Sequence, residues 1–235
     1  VQNKHANQHI PRIVGAIHEY AATGDVSYYN TAYNFWNIVT QRYAYSIGGV
    51  GTGEMFKDPY QQGNNILGNT GRGENCETCA AYNMLKLTKD LYNYDPDNAE
   101  YMDYYERTLI NQIAASQSHD TTDWMHNGTT YMLPIDPGQK RDYDSDYGGF
   151  TCCNGTGMEN HVKYQAAAYA KSDDTLYVNL YMPTTVTWDE MGVSVKQETN
   201  FPSEHSKLTV NGSGDFTMKL RVPYWATAGF EVKVN

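Results

Sequence analysis

The chain has 235 residues, 40% of them hydrophobic, and sets 27 acidic against 17 basic side chains for a net charge of −10. That balance argues against a nucleic-acid surface, which needs basic patches to neutralise phosphates, and no run approaches the ~18 apolar residues of a membrane-spanning helix. The size allows one large or two small domains with their own cores. The 21 tyrosines against 6 phenylalanines offer apolar faces with polar tips, which suit sugar stacking as well as ordinary packing.

Taken in chain order, residues 10–25 place Ile10, Ile13, Val14 and Ile17 at helical spacing, with Pro11 expected in the first turn and Gly24 as the stop. A second helix is predicted over 26–45. A glycine-rich loop follows over 46–75, a length that a compact domain keeps for function or leaves disordered. Helical periodicity returns over 79–92 through Met84, Leu85, Thr88 and Leu91, and over 101–116 through Met102, Tyr105, Leu109 and Ile113. The turn YDPDN makes these two antiparallel neighbours. One more helix is predicted over 157–172. From residue 173 the period changes to alternation, and TLYVNLYMP, VTWDEMGVSVKQE, KLTVNGSGDFTMKLRV and FEVKVN read as strands of an antiparallel sheet around DEMG and NGSG turns. The expected division is helices over 1–172 and strands over 173–235. About five helices do not close a shell and the last residues repeat a strand pattern. A piece of a longer protein is therefore expected, with more helices before residue 1 and more strands after 235. The first residues carry no basic-then-apolar leader pattern, and the compartment stays open among secreted, periplasmic and cytoplasmic. The oligomeric state is unassigned.

The four cysteines fall as C-x-x-C at 76 and 79 and as an adjacent pair at 152 and 153. Neighbouring thiols rarely make a structural disulfide, because the bond needs separated Cβ atoms; the pair points to metal or to chemistry. Two donor sets stand open. All four cysteines could form a closed tetrahedral zinc site, or Glu77 could replace Cys76 in a mixed oxygen and sulfur site with Cys79, Cys152 and Cys153. The second requires Glu77 to sit just before the helix, since residues two apart diverge within one. Glu54 in GTGEMF follows glycines that let backbone approach a ligand, although a lone Glu in such a place is more often a solvated loop carboxylate. His5 and His9 are four apart, but Pro11 places both at or before the helix start, and His161 reads as packed or solvated. The sequons at 127–129, 154–156 and 211–213 are attributed to turn chemistry.

HANQHIPR, GGVGTGEMF, ETCAAYNMLKLTKDLY, TCCNGTGMENHVKY and RVPYWA occur in that order. Together they resemble the β-L-arabinofuranosidases of glycoside hydrolase families 127 and 146, with details closer to 146, over nearly the whole chain. The resemblance implies an (α/α)6 barrel followed by β-sandwich domains, of which this chain would carry the later barrel helices and the start of a sandwich. It implies Cys152 as nucleophile, Glu77, Cys79 and Cys153 with Cys152 as ligands of zinc, Glu54 as general acid/base, and His5 and Tyr131 as substrate contacts. The implied reaction is retaining release of β-L-arabinofuranose, and the implied partner is an arabinose-containing oligosaccharide or polysaccharide. Cys76 is an extra thiol beside the site, and the interval from Glu54 to Glu77 is longer than in some relatives. The competing expectation is a non-catalytic carbohydrate-binding or structural module with a closed four-cysteine zinc site.

Overall fold

A computed structural model describes residues 1–67, 73–119, 122, 128–144, 150–200 and 203–234. The chain divides into two compact units, one of residues Val1–Asp95 and Tyr104–Val162, the other of Pro96–Asp103 and Lys163–Asn235.

The first unit is helical. Helix α1 (Ala6–Thr23) buries Ala6, Ile10 and Ile17 and stops at Gly24, whose φ of 72° and N–H bond to the Tyr20 carbonyl close the helix in a left-handed cap. It begins earlier than the sequence predicts, so Pro11 lies in the second turn and His9 inside the helix. The early start has a backbone cause: the Ala6 N–H, an orphan donor of the first turn, is taken by the Glu54 carbonyl at 2.7 Å. Helix α2 (Val26–Arg42) is capped by Asp25, which accepts from the Ser27 N–H, and buries Ala32, Phe35, Trp36 and Val39. Within the predicted glycine-rich loop a short helix, α3 (Gln62–Leu67), forms. Helix α4 (Thr78–Tyr92) is buried almost all round, as expected of a central helix. Trp36 Nε1 donates to Thr88 Oγ1 at 2.8 Å to seat α2 on it. Helix α5 (Ala99–Thr108), whose residues from Tyr104 on belong to this unit and whose earlier ones belong to the other, runs on into a π-helical stretch, Leu109–Ala114. Helix α6 (Cys152–Asn160) starts at a capping box in which Thr151 and Asn154 satisfy each other's backbone N–H groups.

The predicted helix over 157–172 is not formed as such. Helix α6 ends at Asn160, and Tyr169–Ser172 is strand β1, paired antiparallel with β2 (Thr175–Val178) in the register Tyr169↔Val178 to Ser172↔Thr175. Asp173 takes φ 46° in the two-residue turn between them. A tight hairpin thus wins over the helical spacing of alanines. The second unit holds two three-stranded sheets, ordered β1-β2-β6 and β3-β4-β5. The remaining strands are β3 (Thr184–Trp188), β4 (Val193–Thr199), β5 (Ser206–Gly212) and β6 (Thr217–Leu220). Pairing is antiparallel except between β2 and β6, which run parallel, so the single antiparallel sheet expected from the alternation is instead two sheets, one of them mixed; alternation reports a strand and not its direction of pairing. Leu176, Trp188, Val193 and Val195 form the core of this unit, with Tyr169, Leu208, Phe216 and Met218 packed against it. The alternating FEVKVN segment forms no strand over 230–234. Alternation alone supplies no ladder partner, and a strand without a neighbour is not stable.

Candidate active site and metal centre

Three short backbone pairings assemble the site in the helical unit. Residues 3–6 run beside 54–56: the Asn3 N–H reaches the Phe56 carbonyl at 2.6 Å, and the Phe56 N–H reaches the Lys4 carbonyl at 2.9 Å. Residues 50–53 run beside 74–77, through Glu77 N–H to the Val50 carbonyl at 2.9 Å and Gly53 N–H to the Glu74 carbonyl at 2.7 Å. Residues 76–78 run beside 131–133, through Thr78 N–H to the Tyr131 carbonyl at 3.0 Å and Leu133 N–H to the Cys76 carbonyl at 2.8 Å. The glycines of GGVGTGE serve the second pairing. Gly51, at φ +92°, passes so close to Glu77 that a Cβ there would lie 3.3 Å from the Glu77 Cβ.

Glu77, Cys79, Cys152 and Cys153 each place one ligand atom within 4.8 Å of the others. Glu77 is the N-cap of α4, in extended conformation, so its carboxylate and the Cys79 sulfur converge where residues two apart inside a helix would diverge. Cys79 lies in the first turn of α4 and Cys152 and Cys153 in the first turn of α6, so the positive ends of two helix dipoles favour thiolate there. The Cys79 and Cys153 sulfurs are 3.1 Å apart, within hydrogen-bonding reach of each other. The Cys153 thiol is pushed up, chiefly by its hydrogen bond to Cys79, while Cys79 is lowered to about 7, chiefly by that same bond. Burial pushes Cys152 up and raises Glu77 to about 8. Both Glu77 oxygens are buried without a hydrogen-bond partner among the described residues, an expensive state for a carboxylate. A cation bound by three sulfurs and one carboxylate oxygen would remove that expense, and the donor set suits zinc.

Cys76 lies elsewhere. It is buried with Tyr45 and Leu133 in a small apolar cluster, and burial pushes its thiol well up. The four-cysteine donor set is therefore not formed, and the mixed set is the one the fold assembles.

Cys152 is the exposed thiol of the four cysteines. Its sulfur lies 3.2 Å from the Tyr131 hydroxyl, and that hydroxyl donates to Glu54 Oε1. Two groups that share one hydroxyl stand no more than roughly 6 Å apart. His5 Nε2 lies 3.3 Å from the other Glu54 oxygen, Oε2. Glu54 adopts φ +66°, an uncommon state for a side-chain-bearing residue that is held here by the pairing with residues 3–6. Glu54 and Tyr131 open on a cleft of about 610 Å³ whose wall includes Glu74, Thr130, Gln139 and Lys140.

All seven site residues singled out in the sequence thus meet in one place. His9 does not join them; it packs against Phe35 with ring centroids 5.5 Å apart. Sequence reasoning missed Thr156, whose hydroxyl lies 3.2 Å from the Cys79 sulfur; its place one turn after Cys152 in CCNGT was the available signal. It also missed the brace in which Asn75 Nδ2 donates to Asp136 at 3.0 Å and the Ile135 N–H donates to Asn75 Oδ1 at 3.1 Å. No local pattern announces a contact between residues so far apart in sequence. The Asn154 sequon is part of the α6 capping box and not a turn, and Asn127 of another sequon lies outside the described residues.

A family model described as "Beta-L-arabinofuranosidase, GH127 catalytic domain" matches residues 1–166. The chain belongs to this family. The GH127 middle-domain model matches residues 175–235. Among solved structures, a GH127 β-arabinofuranosidase is 26% identical with a TM-score of 0.75, covering 95% of this chain and 34% of its own. A GH127 β-L-arabinofuranosidase from Geobacillus stearothermophilus T6 is 24% identical with a TM-score of 0.73, covering 95% and 36%. A glycoside hydrolase at 21% identity and TM-score 0.73 covers 95% and 41%; these last two show the fold alone. The chain thus spans little more than a third of the length of the solved GH127 structures it matches. No curated protein matches it.

Proposed function

We propose that the helical unit carries the reacting centre of a retaining glycoside hydrolase that releases β-L-arabinofuranose from arabinose-containing plant glycans or glycoconjugates. The observation that carries this reading is the exposed Cys152 sulfur, set at the edge of an otherwise buried ligand cluster and joined through one Tyr131 hydroxyl to the carboxyl of Glu54. Retaining enzymes keep their two reacting groups ~5–5.5 Å apart, whereas inverting ones leave ~6.5–9.5 Å for a water. The shared hydroxyl suits the shorter spacing.

In this mechanism Cys152 attacks the anomeric carbon. Glu54 gives its proton to the departing glycosidic oxygen, and the sugar is left bonded to the Cys152 sulfur. Glu54, now ionised, takes a proton from water as that water displaces the thiolate, which restores both groups. Tyr131 orients the two partners and sits where the sugar must pass. Glu77, Cys79, Cys152 and Cys153 would hold zinc, whose charge keeps the Cys152 sulfur ionised at neutral pH, where a free thiol with a pKa near ~8.5 is mostly protonated. The cleft beside Glu54 gives the leaving group room.

This reading also treats the helical unit as later helices of an (α/α)6 barrel and places the boundary between catalytic and sandwich parts near residue 173. Support for the boundary comes from the limits of the two family models, 166 and 175. The likeness to family 146 rests on the sequence motifs. The competing non-catalytic module loses its support with Cys76, which packs away from the cluster.

A cyclitol epoxide of arabinofuranose shape tests the centre directly. Incubated with the full-length protein, it should label irreversibly, and peptide mapping should place the added mass on Cys152. An adduct on Glu159 or another carboxylate would replace the thiolate mechanism, and one on Cys153 alone would exchange the roles of the two sulfurs.

A further inference from the structure

The resemblance implies His5 as a sugar contact; the geometry points elsewhere. We propose that His5 is a positioning residue for Glu54, fixing the orientation of its carboxyl group. The inference rests on Glu54 being the acid/base.

His5 occupies the N-cap of α1 and makes no side-chain capping bond. That position favours Ser, Thr, Asp or Asn, whose oxygens accept from the first-turn N–H groups. An imidazole that does not cap leaves helix stability unused, so the side chain is placed for something else. Its Nε2 faces Glu54 Oε2 at 3.3 Å, while Nδ1 is buried without a hydrogen-bond partner among the described residues. The approach is built into the backbone. His5 pairs with Met55 in an isolated bridge, and the Ala6 N–H bonds the Glu54 carbonyl itself. The same pairing holds Glu54 at φ +66°.

The two carboxyl oxygens are thereby divided, Oε1 taken by Tyr131 and Oε2 by His5. Held at both, the group keeps one orientation as it changes from acid to base. The side chains of His5 and Glu54 remain 28% and 38% exposed, so the carboxyl is held yet reachable. Other ionisable groups also bear on Glu54. Glu77 and Cys79 act from the start of α4, Glu74 lies beside Gly53, and Lys140, Asp142 and Asp144 line the shared cleft.

Two variants of the full-length protein separate positioning from sugar contact. His5→Gln keeps a donor near the position of Nε2; His5→Leu does not. With a poor leaving group, His5→Leu should lower kcat by tenfold or more at unchanged KM, and His5→Gln should recover part of it. A rise in KM with kcat unchanged would return His5 to the role of sugar contact and overturn the proposal. Carbon-13 NMR of the Glu54 carboxyl decides independently of turnover. Its chemical shift should move in His5→Leu as the Nε2 contact is lost and return part-way in His5→Gln, and an unmoved resonance overturns the proposal even if arabinofuranosides are hydrolysed. If they are not hydrolysed, the assigned function falls while the NMR result still stands for or against the pairing.

Discussion

At the scale of single residues, Glu77 and Cys76 are neighbours in sequence with opposite fates, and that contrast yields the sharpest test of the metal centre. Glu77 has two buried oxygens without a hydrogen-bond partner among the described residues, whereas Cys76 is fully buried among apolar side chains. Metal analysis of the full-length protein should find about one zinc per chain, the stoichiometry of a single four-ligand site. Cys76→Ser should keep it and Glu77→Gln should lose most of it; the reverse pattern would restore the four-cysteine site. Glu54 supplies a second residue-scale prediction. Glu54→Gln removes the transferable proton, so turnover of substrates with poor leaving groups should drop by about 10²–10⁴-fold, while aryl glycosides, which need little protonation, should lose far less in the first step. Equal losses on both substrate types would take Glu54 out of the acid role.

At the scale of elements, the Cys152 sulfur is presented by the first turn of α6, a helix that contains Gly155 and Gly157 and has little intrinsic tendency to form. The capping box is what starts it. Thr151→Ala should therefore lower unfolding free energy by about 1 kcal/mol, read as a shift of the urea midpoint at constant slope; an unmoved midpoint would show that packing against α4 alone fixes the helix. The elements also show where the sequence was legible. Periodicity located α1, α2, α4 and α5, because each has one face or more in the core. Alternation located β2 to β6, whose apolar residues form the strand core or, in β5 and β6, pack half-buried against it. It could not locate the end of α6 or the start of β1, since the alanines of 166–168 fit a helix as well as a turn and the hairpin register decides. The site was legible where side-chain chemistry is distinctive, as with the cysteines and Glu77. It was illegible where backbone pairing does the work, as with the bridges that bring residues 5, 55, 77 and 132 together.

At the scale of the whole molecule, the ligand cluster belongs to one compact unit only. Its donors come from the starts of α4 and α6, both in the helical unit, so a bound ion would cross-link two helices that are distant in sequence. The strand unit has a separate core around Trp188, Val193 and Val195 and no donor in the cluster. Metal binding to the native state alone stabilises by mass action, about 2.7 kcal/mol when free metal is a hundredfold above Kd. Removing it should loosen the elements it ties. Hydrogen exchange of the full-length protein, before and after a strong chelator under reducing conditions, should show faster exchange in α4 and α6. Strands β3, β4 and β5 should exchange at unchanged rates. In Glu77→Gln the chelator should change little, because the metal is already largely absent. Equal loss of protection in both units would mean that the two cores unfold together and that the cluster serves the entire chain; no change in either would mean that the cluster holds no structural ion.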